Sequence, residues 1–149
     1  MTGKYAFVMM TKEKWWNRFR RNLHEGKHAQ SYVQRGKAPP KQTSTILFYV
    51  TKPVAEIAGH AEFIERKVGD VLEVWKKYGS ESVLKSEQEY REFVGDKRQV
   101  SFIRFKNLRE DTNTVSLADV LMLLGARRLS RKGFYLDKET ADKIVALME

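Results

Sequence analysis

Between residues 12 and 41, nine cationic side chains (Lys12, Lys14, Arg18, Arg20, Arg21, Lys27, Arg35, Lys37 and Lys41) are set against two carboxylates, Glu13 and Glu25. Trp15, Trp16, Phe19 and Tyr32 interleave them. Cations neutralise phosphates and flat rings stack on bases, so this pairing points first to a nucleic-acid ligand. Arg127, Arg128, Arg131 and Lys132 form a second cluster ahead of Phe134 and Tyr135. If the two clusters fold side by side they border one cleft. Trp15, Phe19 and Leu23 recur at helical spacing and are expected in a core. Trp16 lies about 100 degrees further round, towards the basic side, where it is expected to cover a groove or stack on a base.

The three histidines invite a metal reading and mostly resist it. His24 and His28 are four apart, but Gly26 between them weakens the helix that would put them on one face. At a helix end an imidazolium suits the negative dipole. His60, between Gly59 and Ala61, is expected to be a hydrogen-bonded structural residue. With no cysteine in the chain, disulfides, thiolate metal sites and cysteine nucleophiles are excluded. No HExxH, GxSxG or GxxxxGK pattern occurs, and neither a metal nor a cofactor is expected.

The chain has 149 residues, 42% of them hydrophobic, and a formal charge of +9. Its length fits a single domain spanning 1–149, and its charge predicts attraction to polyanions such as RNA, DNA or an anionic membrane face. No run approaches the roughly 18 apolar residues of a membrane span, and the first residues lack the pattern of a signal peptide, so a cytoplasmic location is expected. Oligomeric state is not legible.

The elements that must position these residues follow from period and punctuation. Lys4 to Thr11 reads as a buried strand, and residues 12 to 25 as an amphipathic helix with Thr11 as N-cap and Gly26 as its stop. Gly26 to Ser44, with Gly36, Pro39 and Pro40, reads as a long loop. Thr45–Thr51 and a bent segment, Val54–Lys67 around Gly59, are strands. Asp70 with Glu73, and Ser86 with Glu89, have capping-box spacing and start two short helices. Val100–Phe105 returns to strand, Ser116 caps a helix ended by Gly125, and Asp137 starts a terminal helix. Strands and helices mix without regular alternation. The fold class is therefore α+β, a small mixed β pseudobarrel flanked by helices.

The pieces TILFYVTKPVAEIAGHAEFIERKVGDVLEVWKKYG, KSEQEYREFVGDKRQVSFIRFKNL and ARRLSRKGFYLDKETADKIVALM resemble the PUA-like superfamily, in particular its ASCH branch and related archaeal proteins of unknown function. The resemblance covers residues 44 to 149 in pattern. It implies a pseudobarrel and binding of RNA or a modified nucleotide. In some ASCH relatives it also implies hydrolysis of an acylated cytidine by a lysine, a hydroxyl and a glutamate. Gly26 and Lys27 occupy the place of the family's Gly-Lys stretch, the nearest hydroxyl is Ser31, and Glu62 in GHAEFIE is the carboxylate. A desolvated Lys27 would activate Ser31 or a water while Glu62 shuttles the proton. The leading expectation is a binder of RNA or a modified nucleotide, the alternative is this hydrolase, and membrane-surface attachment is a third class disfavoured because the first helix is needed to cover the sheet.

Overall fold

A computed structural model of the chain describes residues 4–149. Twelve elements follow in order: β1 (Ala6–Thr11), α1 (Glu13–His24), β2 (Ala29–Arg35), β3 (Thr45–Val50), β4 (Glu56–Asp70), α2 (Val71–Tyr78), a 3-10 turn (Gly79–Glu81), α3 (Glu87–Val94), β5 (Gln99–Ser116), α4 (Leu117–Leu124), β6 (Phe134–Leu136) and α5 (Lys138–Met148). The six strands form one sheet in the order β2-β5-β4-β3-β1-β6. β1 and β3 run parallel, with Ala6 opposite Thr45, and the other pairings are antiparallel.

One cluster explains why this sheet curls. Phe7 and Met9 of β1, Tyr32 of β2, Phe48 of β3, Ala61 of β4 and Phe105 of β5 all pack into it, so strands from both ends of the sheet enclose the same core. Trp16 and Phe19 of α1 plug that core. The alternate residues of β1 and β3, among them Val8, Leu47 and Tyr49, face outward beneath Val120 of α4 and Ile144 of α5. α2 and α3 cover the far end, where Tyr90 stacks on Trp75 with ring centroids 4.4 Å apart. The molecule is a mixed β pseudobarrel flanked by helices.

Side-chain caps lie where the sequence puts them on four helices: Asp70, Ser86, Ser116 and Asp137 each accept from backbone N–H groups of the first turn. α1 departs from this. Its N-cap is Lys12, without a side-chain bond, and the Thr11 hydroxyl donates instead to the Met9 carbonyl. The expected loop 26–44 also contains a full strand, β2. Gln30, Ser31, Tyr32 and Val33 are all buried there, so the strand is covered on both faces and lacks the polar-apolar alternation that would reveal it.

Trp16 is the main correction. Only 5% of its surface is exposed, and its ring lies 5.5 Å from that of Phe48. It enters the barrel because Gly59 leaves room: a β-carbon there would come within 2.5 Å of the indole. Trp16 is therefore a core residue, out of reach of a base. Trp15, expected in the core, is half-buried and packs on Phe93 of α3.

Candidate functional site

β1 and β2 approach across the barrel seam without pairing, joined by the Tyr32 hydroxyl, which donates to the Met10 carbonyl at 3.1 Å. Burial pushes the Tyr32 phenol up to about 12, so it stays protonated and keeps donating. Beside this seam lies a cleft of about 410 Å³ lined by Phe7, Met9, Met10 and Gln34 from the strands and by Lys37, Pro39, Arg131 and Lys132 from two loops.

Both loops are held to the barrel. In the β2–β3 loop, Ala38 N–H donates to the Ser101 hydroxyl at 2.9 Å, Ser101 donates to the Gly36 carbonyl at 2.6 Å, and Arg66 donates to the Ala38 carbonyl at 3.0 Å. The Lys41 N–H then reaches the Tyr135 hydroxyl at 3.0 Å. In the α4–β6 loop, Gly133 has φ +84, and a β-carbon there would come within 2.5 Å of the Phe7 ring and the Val8 carbonyl. Only glycine lets this loop lie so close to β1, which brings Arg131 and Lys132 to the cleft. Tyr135 packs edge-on against Phe7 at 5.0 Å.

Apart from Lys27, the cationic residues named from sequence divide into three groups. Lys37, Arg131 and Lys132 are exposed and line the cleft, with Lys41 tied to Tyr135 beside it. Arg18 is a structural tether: it grips Glu89 of α3 at 2.8 and 3.2 Å, donates to the Val83 carbonyl, and lies 5.1 Å from the Trp15 ring centre. Arg18 holds the Glu89 carboxyl below its ordinary value, against the opposing effect of burial. Arg20 is bound to Glu110 at 2.7 Å, and Lys14 lies over Trp15. Lys12, Arg21, Arg35, Arg127 and Arg128 are exposed and do not line the cleft. The second cluster thus meets the tail of the first beyond β2, and the helix is not its neighbour. Sequence reasoning missed Phe7, Met9, Met10 and Gln34, although the alternation of β1 marks Phe7 and Met9 as one face.

Lys27 and Glu62 share a different hollow, of about 660 Å³, with His28, His60, Asn107, Arg109 and the terminal Glu149. Lys27 is exposed and donates to the Ser80 carbonyl at 2.9 Å. Asn107 donates to Glu62. The Nδ1 atom of His60 lies 2.9 Å from Asp111, whose side chain is 7% exposed, so the expected hydrogen bond of His60 is present. Burial pushes the Asp111 carboxyl up from its ordinary value while His60 pulls it down. Ser31 does not line this hollow. It is fully buried on β2, and its hydroxyl is the one buried side-chain polar atom among the described residues without a hydrogen-bond partner. The lysine–hydroxyl–glutamate set is not assembled.

The pseudobarrel closed by α1, with its loop-rimmed cleft at the seam, has the fold of solved ASCH proteins. A crystal structure of a serine-to-alanine variant of an ASCH protein from Zymomonas mobilis superposes with a TM-score of 0.80 at 21% identity, covering 100% of both chains. Another structure of the ASCH protein from that organism gives 0.78 at 22% identity over 97% of this chain and 96% of that one. In sequence, 89 residues are 33% identical to an ASCH domain-containing ribonuclease of Zymomonas mobilis, spanning 59% of this chain and 59% of the relative. No family model matches the chain. Among the described residues no helix is long and apolar enough to cross a membrane.

Proposed function

We propose that the protein binds RNA as a single cytoplasmic domain, with the seam cleft receiving an unstacked base or modified nucleoside and Lys37, Arg131 and Lys132 neutralising the flanking phosphates. The observation that carries this reading is the convergence of two basic clusters, some ninety residues apart in sequence, on the rim of one cleft with an apolar floor. A cleft of about 410 Å³ falls within the size range of small-ligand sites. Single-stranded loops and ends are the RNA elements whose bases are free to enter such a recess, and backbone cations then fix their position. The description of the Zymomonas mobilis relative as a ribonuclease supports RNA as the ligand class.

Titration of fluorescent single-stranded RNA, structured RNA and duplex DNA across a salt series tests the reading, with free modified nucleosides as competitors. Salt-sensitive affinity for single-stranded RNA that is lost with the rim cations supports it. Equal, weak binding of all three polymers, unaffected by rim substitutions, refutes it.

A further inference from the structure

The seam cleft uses only half of the second basic cluster. Arg131 and Lys132 line it, while Arg127 and Arg128 are exposed and do not. Those two follow directly on α4, whose sequence, LADVLMLL, carries a single charge, Asp119. A helix that is apolar on every side is normally covered on every side. α4 is covered on one: Val120 is buried, and Leu117 and Leu124 pack on the outer face of β1 and β3, but Met122 is 75% exposed and Leu123 36%. Ala118 and Asp119 are exposed one turn earlier, so Ala118 with Met122 and Asp119 with Leu123 run along one open face. α5, packed on the same cluster, leaves Leu147 half exposed. Among the described residues no ion pair involves Asp119, Arg127 or Arg128.

We infer that this face binds a second copy of the chain, through an antiparallel contact between the two α4 helices across a two-fold axis. Such a contact has to be self-complementary. α4 meets that condition in its order of residues. Reversing one copy against the other sets Met122 of each against Leu123 of the other, and it brings Asp119 to the end of the second helix where Arg127 and Arg128 follow. Symmetry makes that charge pairing twice. The apolar side chains then lie at the axis and the ion pairs at the rim, the usual anatomy of a protein interface. A helix of eight residues is about 12 Å long, which is short for a standard interface, and the charge of +9 on each copy opposes association. The dimer is therefore a weak, concentration-dependent one. The inference uses α4 and the residues after it, and it does not depend on the RNA reading.

Sedimentation velocity of the full chain, from micromolar to sub-millimolar concentration at about 0.15 M salt to screen the repulsion between copies, tests it. A reversible shift from monomer to dimer is expected. Met122→Glu, at an exposed position, places a carboxylate of each copy near the axis and should raise the dissociation constant by about 10-fold or more while leaving the melting temperature unchanged. Asp119→Arg in one variant, and Arg127→Asp with Arg128→Asp in another, should each prevent self-association by setting like charges together. Mixed in equal amounts, the two variants should form dimers again, because each then meets opposite charge at both ends of the contact. A monomer at every concentration, a dimer unaffected by Met122→Glu, or no recovery in the mixture would each overturn the inference. So would a chain that stays monomeric while it binds RNA or anionic vesicles in a manner lost with Met122→Glu or with the arginine pair, since the face would then belong to that ligand.

Discussion

Removing the three rim cations, as Lys37→Ala, Arg131→Ala and Lys132→Ala in one variant, tests the seam cleft most directly. Each phosphate contact to a single strand contributes roughly 0.7 to the slope of log affinity against log salt. Three contacts therefore contribute about 2. Between about 50 and 200 mM salt, a fourfold change, the wild-type protein should lose about 20-fold more affinity than the variant. The three side chains are exposed, so the melting temperature should hold within the small range of surface substitutions. Fluorescence anisotropy with one labelled single-stranded RNA at four salt concentrations measures the slope. A control variant, Lys14→Ala with Arg21→Ala, removes two exposed cations of α1 that do not line the cleft. An unchanged slope in the rim variant, with a flattened slope in the control, would move the interface to the helix and refute the argument.

Trp16→Ala should cost about 3–5 kcal/mol of stability in a denaturant titration, because it empties the centre of the barrel, while the protein that stays folded keeps its RNA affinity. Arg18→Ala should cost about 1–3 kcal/mol through the lost bonds to Glu89 and the Val83 carbonyl. The Glu89 carboxyl is held below its ordinary 4.5, so its share of that stability is complete above pH 4.5 and lost as pH falls through the lower folded value. The gap between wild type and Arg18→Ala, followed by thermal melts from pH 7 to 3, should accordingly narrow below about 4.5. Gly133→Ala should weaken RNA binding, because a β-carbon would push the loop carrying Arg131 and Lys132 off Phe7, and a crystal structure of the variant would show that displacement.

The parts of the fold legible in the sequence were those written locally. Asp70, Ser86, Ser116 and Asp137 start helices by capping chemistry that works within three residues, and Gly125 ends one in the left-handed region. β2 was hidden because its buried stretch includes Gln30 and Ser31, polar residues that read as loop. Gln30 is satisfied by the Phe19 carbonyl and by Asn22, partners on α1 that no local pattern announces. The burial of Trp16 was hidden for a related reason. A helical wheel gives the angle of a side chain, but the opening that admits the indole is made by Gly59, more than forty residues away. The basic clusters were visible as composition. Which cations face the cleft depends on acidic partners such as Glu89 and Glu110, and those became assignable only in three dimensions.

The junction of β1 and β2 has a consequence for how the recess adapts to what enters it. Every other boundary in the sheet is a ladder of main-chain bonds, whose spacing is fixed near about 4.8 Å. Here the two strands are spanned by the Tyr32 phenol, a tether with rotatable joints. The mouth of the cleft can therefore change width without breaking a ladder, and the variable that sets its gauge is a side chain that substitution can shorten, lengthen or remove. Tyr32 is also buried in the barrel core, its ring 5.5 Å from that of Phe19, so a substitution that resets this gauge also changes the packing that holds the barrel together.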